Sequence, residues 1–177
     1  MKAWVVLPIL CASCGGDITP QDPQTNDPGP GSLIDHRMWV ELNAENDPFA
    51  SHRQEAVFCP EWSRQIEGEL YEVETDDCNY ISLSQPSLRP LKKGDQVDTV
   101  FWHLWLWAPQ PTQGHVAITI GDWVIADELI DIPGPEESFN PVLVAPKDIP
   151  QGTPIVFHLH NHGVNSWRLL SIERIND

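Results

Sequence analysis

A period-two alternation of apolar and polar residues is the feature that most constrains this chain. In the stretch PIVFHLHNHG, Ile155, Phe157 and Leu159 occupy alternate positions, whereas His158, His160 and His162 follow the other register. Successive side chains of a strand point to opposite faces, so the pattern predicts a buried apolar face and places the histidines on the other face. Seventeen prolines and several glycine turns separate such stretches, and no convincing helix periodicity is present. The sequence therefore predicts an all-β domain, an antiparallel sandwich or a barrel.

Two other predicted strands also carry a histidine. The stretch HVAITIGDWVIADELI predicts a hairpin that turns at Gly121-Asp122, with His115 on the face opposite Val116. The stretch GDQVDTVFWHLWLWAP predicts a long Trp-rich strand. Its apolar face is expected to hold Val100, Trp102, Leu104 and Leu106. Its second face is expected to hold Phe101, His103, Trp105 and Trp107.

The N-terminal residues indicate export. Lys2 precedes the apolar run AWVVLPIL, which is too short to span a bilayer and is followed by small residues, as in a secretory signal. The sequence Ala12-Ser13-Cys14 resembles a bacterial lipobox, in which Cys14 becomes the lipidated first residue of the mature chain. Cys11 stands where such signals usually have Leu, so earlier cleavage and an unlipidated signal remain alternatives. Because Gly15 rather than Asp follows the cysteine, the resemblance implies the outer membrane.

Composition divides the remaining chain into a tether and one domain. Residues 14–35 are rich in Pro, Gly and Asp, and such a segment buries too little surface to offset its ordering entropy. We therefore predict a signal peptide over 1–13, a flexible tether over 14–35 and a β-sandwich domain over 36–177. The formal charge of −16 disfavours nucleic acid and anionic lipid surfaces as partners, which leaves the lipid anchor as the membrane contact.

Cysteine use agrees with export. Cys11 and Cys14 belong to the signal region, so Cys59 and Cys78 remain as a pair within the domain. Two cysteines left over in an oxidising compartment usually form a bridge, and neither has the close cysteine or histidine neighbour of a zinc site. We predict a Cys59–Cys78 disulfide.

The strand patterns resemble those of a known fold family. The stretches LKKGDQVDTVFWHLWL and GTPIVFHLHNHGVNSWRLLSIERI are similar to the long aromatic strand and the closing strand pair of galactose-binding-like jelly rolls, which occur in many carbohydrate-binding modules. The phrases CNY and FHLHNHG also resemble secreted lipoproteins of predatory or social bacteria, which implies no activity. The first resemblance implies a jelly-roll sandwich that binds a carbohydrate or another small extracellular ligand without catalysis.

If the three histidine-bearing strands share a sheet, their second faces form one surface. The predicted ligand-binding residues are His103, Trp105, His115, His158, His160 and His162. Indole faces stack on sugar rings and imidazoles offer directional hydrogen bonds. Imidazole also suits zinc, copper and nickel, and the predicted metal ligands are His103, His158 and His160. The third alternative is a structural face that residues 36–66 cover.

Catalytic motifs are lacking in the sequence. It contains no Gly-x-Ser-x-Gly elbow, His-Glu-x-x-His pair, phosphate loop or dinucleotide glycine pattern. One acidic segment holds oxygen ligands for a structural calcium ion or forms a charged strand edge: Glu67, Glu69, Glu72, Glu74, Asp76 and Asp77. The sequence thus predicts a non-catalytic, lipid-anchored binding module of the cell envelope. A zinc-, copper- or nickel-binding jelly roll, a metal-dependent enzyme and a purely structural envelope protein are the alternatives.

Overall fold

Strands account for most of the regular structure in residues 28–175, the part of the chain that the computed structural model describes. In chain order they are β1 (Val40–Glu41), β2 (Arg64–Glu67), β3 (Leu70–Glu74), β4 (Tyr80–Pro86), β5 (Gln96–His103), β6 (Thr112–Ile120), β7 (Trp123–Ile132), β8 (Glu137–Phe139), β9 (Val142–Val144), β10 (Pro154–His160) and β11 (Ser166–Arg174). Three 3-10 turns accompany them: η1 (His36–Met38), η2 (Ala50–His52) and η3 (Glu61–Ser63).

The strands form two antiparallel sheets. The first sheet has the order β1-β4-β10-β6-β7, and the second has the order β2-β3-β11-β5-β8, with β9 also pairing with β5. Without the short flanking strands, the orders β4-β10-β6-β7 and β3-β11-β5-β8 are those of a jelly roll, because β3 to β6 and β10 to β11 alternate between the sheets. The predicted all-β jelly-roll sandwich is confirmed.

The core lies between the two sheets. From the first sheet it receives the apolar set predicted on β10, Ile155, Phe157 and Leu159, together with the set on β6, Val116, Ile118 and Ile120. From the second sheet it receives Val97, Phe101, Trp167 and Leu169. Full burial of such a side chain contributes about 1.5–3 kcal/mol, and the conformational entropy lost on folding offsets most of the sum. The β6–β7 hairpin turns at Gly121-Asp122 as predicted, and Gly121 has a φ of 60°.

The Trp-rich strand is shorter than predicted and presents its other face to the core. β5 ends at His103, and beyond it Leu106 pairs with Gly134 while Trp107 pairs with Val164 through isolated bridges. Phe101 and His103 are buried, whereas Val100 and Trp102 are only half-buried. The expected assignment of faces is therefore wrong within β5, whereas beyond the strand Leu106 is buried and Trp105 and Trp107 are exposed, as expected. Both faces of this stretch carry bulky apolar residues, so the alternation alone did not decide which one packs inward.

The N-terminal part of the described chain already belongs to the sandwich. Leu33 and Ile34 are buried in the core, and the Leu33 amide donates to the carbonyl of Ile172 at 2.9 Å. The sandwich therefore includes residues that the sequence assigned to the tether. The predicted signal peptide (1–13), Cys14 and most of the tether lie outside the described residues. Within residues 28–175, no helix has the length and hydropathy needed to cross a bilayer.

A segment of mostly irregular structure, residues 42–63, covers part of the outer face of the first sheet; we call it the cover segment. The predicted Cys59–Cys78 disulfide is confirmed and joins this segment to the start of β4. Two hydrogen bonds reinforce the junction: the Phe58 amide donates to Asn79 Oδ1, and the Asn79 amide donates to the Phe58 carbonyl, both at 2.9 Å. The disulfide thus fixes one end of the cover segment on the sheet.

Candidate functional site

Three histidines project from the outer face of the first sheet. His160 on β10 lies directly opposite His115 on β6, and His158 lies opposite Ala117. The alternate residues of both strands, such as Phe157 and Val116, belong to the core between the sheets. The predicted orientation of His158 and His160, opposite the apolar set of β10, is therefore present in the structure.

The cover segment closes this face above His158. The Phe49 ring stacks on the His158 imidazole, with ring centroids 4.4 Å apart and planes inclined by 15°. The Tyr80 hydroxyl, on the neighbouring strand β4, hydrogen-bonds the Phe49 carbonyl at 3.0 Å and the Asp47 carboxylate. His158 has no exposed surface as a result. The open histidine-lined ligand surface predicted from the sequence is not present at this position.

The cover segment adds a histidine of its own. His52, at the end of η2, reaches His115 with 3.0 Å between the two Nδ1 atoms. The rings of His52, His115 and His158 each offer a nitrogen, and all three nitrogens lie within 4.8 Å of one another. Among the histidine, cysteine and carboxylate side chains of residues 28–175, these three form a group whose potential ligand atoms converge. We call it the histidine cluster.

Two side chains orient the rings of the histidine cluster. His115 Nε2 lies 2.6 Å from Asp127 Oδ1, and His158 Nδ1 lies 2.8 Å from Ser82 Oγ. The Asp127 carboxylate only accepts, so it favours a proton on Nε2 of His115 and leaves Nδ1 with its lone pair. His158 Nε2 has no hydrogen-bond partner within the described part of the chain. A proton on Nδ1, donated to Ser82 Oγ, avoids a buried unpaired N–H and leaves the lone pair on Nε2.

Burial keeps His158 neutral. Desolvation, followed by the nearby His115, His52 and His160 side chains, lowers the pKa of His158 to about 2. Desolvation and the neighbouring His162 also lower the pKa of His160, to about 4. Neutral imidazole is the form of histidine that has a lone pair to offer.

His160 and His162 lie beside the histidine cluster and not in it. The Gln54 side-chain amide donates to His160 Nε2 at 2.8 Å and lies 3.2 Å from the ring nitrogens of His162. The two imidazoles also contact each other, with ring centroids 4.6 Å apart. His162 is exposed, whereas His160 is half-buried. Both side chains help to hold the cover segment through Gln54.

The expectation that His103 joins His158 and His160 in a metal site is wrong. His103 lies on β5 in the second sheet, whereas the other two lie on β10 in the first sheet. Its ring faces the core, 4.6 Å from the Trp167 ring and 6.0 Å from the Phe139 ring, and it is almost fully buried. Its Nδ1 lies 2.9 Å from the Leu104 carbonyl oxygen. The apolar core separates His103 from the outer face of the first sheet.

Sequence reasoning missed His52 as a member of the cluster. This residue lies 63 positions before His115, in a segment without alternation, so no local pattern connects it with the strands. The prediction that residues 36–66 form a cover was its nearest signal, because any histidine in a covering segment is a candidate partner of the histidines beneath it.

The acidic residues between 67 and 77 do not form a calcium site in the described structure. Glu72 is buried and accepts from Arg168 Nε at 2.8 Å and from Gln65 Nε2 at 3.0 Å. Glu74 accepts from the Ser166 hydroxyl at 2.7 Å. These carboxylates are used in cross-strand pairs, and no three acids converge within residues 28–175.

An open cleft of about 480 Å³ lies at one end of the second sheet, where β3 ends and β11 begins. Its lining consists of Glu74, Asp76, Trp105, Trp107, Val164 and Asn165. Trp105 and Trp107 expose 63% and 53% of their surface, which is unusual for the residue type. We call this site the aromatic cleft. Trp105, a predicted ligand-binding residue, thus lines an open site. Trp107 was predicted on the same face of the strand but was not among the predicted ligand-binding residues.

Hydrogen bonds hold the walls of the aromatic cleft in place. Asn165 donates from Nδ2 to the Trp105 carbonyl at 2.7 Å, and its amide donates to Asp76 Oδ1 at 3.0 Å. The backbone of Trp107 exchanges two hydrogen bonds with Val164, at 3.2 and 2.8 Å. The two tryptophans are therefore attached to the start of β11 rather than carried on a free loop.

No protein-family model matches the chain, and no curated protein sequence matches it. A solved chain described as "CBM4 structure and function" is similar at 11% identity with a TM-score of 0.42, covering 77% of this chain and 86% of that one. A likeness at this level supports no functional statement about this chain, and the jelly-roll assignment rests on the strand order of the two sheets.

Proposed function

We propose that the protein is a non-catalytic binding module that takes a carbohydrate in the aromatic cleft. The observation that carries the proposal is the pair of exposed indoles, Trp105 and Trp107, beside the carboxylates of Glu74 and Asp76. Indole faces pack against the C–H faces of sugar rings, and carboxylates and amides bond the hydroxyl groups that point outward from the ring. The cleft combines both chemistries.

Energetics favour a ligand at this position. Removal of apolar surface from water contributes about 25 cal/mol of favourable free energy for each Å². A ligand that covers the two half-exposed indoles therefore gains binding free energy from their burial. The backbone pairing of Trp107 with Val164 and the Asn165–Trp105 hydrogen bond reduce the entropy that ordering of the cleft would cost. The open cleft of about 480 Å³ admits the end or a short stretch of a sugar chain.

The two carboxylates of the cleft support binding rather than hydrolysis. Glu74 accepts from the Ser166 hydroxyl, and Asp76 accepts from the Asn165 amide. Both acids thus help to hold the turn before β11, and no observation favours either one as a proton donor or a nucleophile to a glycosidic bond. We therefore propose recognition without catalysis.

A glycan screen with the mature chain tests the proposal. We expect binding to at least one polysaccharide or oligosaccharide class, and at least tenfold weaker binding for Trp105→Ala and Trp107→Ala. Trp62→Ala is the matched control, because Trp62 is an exposed indole that does not line the cleft. Absence of binding across the screen, or an equal loss with Trp62→Ala, would contradict the proposal.

We further propose that the module is exported and held on the outer membrane by a lipid on Cys14. The signal pattern of residues 1–13 supports this, and the Cys59–Cys78 disulfide is consistent with an oxidising compartment. Cys14→Ser is expected to move the folded protein from the membrane fraction to the soluble fraction. Retention of this variant in membranes after a high-salt wash would argue against a lipid anchor.

A further inference from the structure

We propose that His52, His115 and His158 bind one divalent transition-metal ion of the imidazole-preferring class, with Zn²⁺ as the fitting ion. This site lies on the outer face of the first sheet, apart from the aromatic cleft, and it is independent of the carbohydrate proposal. It also differs from the set His103, His158 and His160 that the sequence predicted.

The distances in the histidine cluster suit such an ion. A tetrahedral site with Zn–N bonds of about 2.0–2.1 Å places its ligand nitrogens about 3.3–3.4 Å apart. The Nδ1 atoms of His52 and His115 are 3.0 Å apart, and all three ligand nitrogens lie within 4.8 Å of one another. His52 is exposed at the end of a short turn, whereas His115 and His158 lie on adjacent strands, so we expect any adjustment on binding to come from the His52 side chain.

The environment of the rings is a second, independent observation. His158 is completely buried, its Nε2 has no partner within the described residues, and a buried polar atom in that state needs an explanation. A metal ion bound to Nε2 explains why this buried nitrogen has no hydrogen-bond partner. The hydrogen bonds that His115 donates to Asp127 and that His158 donates to Ser82 match the outer contacts that fix the tautomer of metal-bound histidines.

Charge also favours a cation at this position. Asp127 accepts from His115 and offsets part of the positive charge that the ion brings. The whole chain carries a formal charge of −16, which raises the local concentration of cations.

The bound ion would join two separate parts of the fold. His115 and His158 belong to adjacent strands of the first sheet, whereas His52 belongs to the cover segment. Coordination therefore attaches the middle of the cover segment to the sheet, as the disulfide attaches its end. Three imidazoles leave one position of a tetrahedral ion for water, as in zinc sites with three protein ligands.

Metal binding to the untagged mature chain tests the proposal. After removal of metal with EDTA and buffer exchange, calorimetric titration with Zn²⁺ is expected to give one equivalent, and the melting temperature is expected to rise with added Zn²⁺. A parallel titration with Cu²⁺, followed by electron paramagnetic resonance, is expected to show nitrogen ligands. No binding of either ion, or no change in melting temperature on binding, would overturn the proposal.

Variants locate the ion. His52→Ala, at an exposed position, is expected to weaken binding at least about 100-fold. His36→Gln removes a histidine that lies outside both the cluster and the cover segment and contacts the Leu170 carbonyl instead, so it is expected to have no effect. Asp127→Asn is expected to weaken binding about 10–100-fold, the usual effect of losing an outer contact. Asp131→Asn, on the same strand and bonded to Gln113 instead, is its control. Equal effects of a variant and its control would place the ion elsewhere and refute the site.

Protection of the cover segment gives a readout that does not depend on affinity. Zn²⁺ is expected to slow amide hydrogen exchange across residues 47–54 in the wild type but not in His52→Ala. Sugar binding in the aromatic cleft is expected to be the same with EDTA and with Zn²⁺, so a failure of one proposal leaves the other intact. Unchanged exchange with the ion bound would show that His52 is not a ligand.

Discussion

Asn165 holds Trp105 in place from an unusual backbone conformation. Its side-chain amide donates to the Trp105 carbonyl at 2.7 Å. Its φ is 121°, a positive value that residues other than glycine rarely adopt. Its own Oδ1 accepts from the Ser166 amide at 2.8 Å. Such a conformation persists only where surrounding contacts stabilise it, and here these contacts form the wall of the aromatic cleft.

Asn165→Ala is expected to lower the free energy of unfolding by about 1–3 kcal/mol, because it combines a positive φ with the loss of both side-chain hydrogen bonds. Asn165→Gly loses the same bonds without the conformational cost and is expected to be less destabilised. Urea unfolding of the two variants measures the difference. Equal stabilities would show that the backbone conformation carries no cost.

Arg168→Ala is expected to destabilise the domain by about 3 kcal/mol. Arg168 Nη2 lies 2.6 Å from Oε1 of Glu72, whose side chain is 3% exposed, so removal of the guanidinium leaves a buried carboxylate without its cation. Lys92→Ala is the control, because Lys92 and Asp148 are exposed and 3.5 Å apart, and exposed pairs contribute less than about 1 kcal/mol. Chemical denaturation measures the free energy of unfolding of both variants. A similar decrease in the two would show that Arg168 does not stabilise the buried Glu72 carboxylate.

Removal of the disulfide is expected to loosen the cover segment. The bridge spans 19 positions, and closing a loop of that size stabilises the fold by about 3 kcal/mol in the chain-entropy model. The double variant Cys59→Ser, Cys78→Ser is therefore expected to unfold at lower denaturant and to exchange amide hydrogens faster in residues 42–63. The sheet strands β6 and β10 serve as the internal reference. Uniform acceleration across both regions would contradict a local role.

Acid is expected to destabilise the metal-free protein partly through His36. Burial lowers the pKa of His36, whose Nε2 lies 3.0 Å from the Leu170 carbonyl. The unfolded chain, with a histidine pKa of about 6.5, then binds the proton more readily than the folded chain. Stability from this group is present above pH of about 6.5 and is lost as the pH falls towards the depressed folded value.

The variant His36→Gln isolates this contribution. It keeps an N–H donor for Leu170 but cannot titrate, so its free energy of unfolding is expected to fall less between neutral and mildly acidic pH. Urea titrations of both proteins in EDTA at several pH values give the slope of the free energy of unfolding against pH. The remaining histidines are common to both proteins. Parallel slopes would show that His36 does not contribute.

Much of the fold was predictable because the alternation on β10 and β6 determines which face of each strand is buried. Ile155, Phe157 and Leu159 are apolar and their neighbours include histidines. The register that buries the apolar face therefore has a much lower free energy than the one that buries the histidines. On β5 both faces are apolar, and packing against Trp167 and Phe139, which are distant in sequence, decided that His103 faces inward. Local pattern carries no information about such contacts.

The candidate sites were predictable only in part. The sequence placed Trp105 and His158 among the functional residues, yet each acquires its surroundings from a segment that lacks any periodic signal. His52 reaches His115 across 63 positions, and Asn165 reaches Trp105 across 60. Turns and covering segments are set by tertiary contacts, which a single sequence does not reveal.

The direction of β11 places the N-terminal end of the described chain far from the aromatic cleft. Ser32, near the start of the described chain, pairs with Glu173 at the end of this strand, whereas the aromatic cleft adjoins Asn165 and Ser166 at its beginning. Nine residues of strand separate the two points by roughly 25–30 Å. An attachment through the N-terminus would therefore lie at the opposite end of this strand from the tryptophans, which leaves the aromatic cleft open to a polymer in the surroundings.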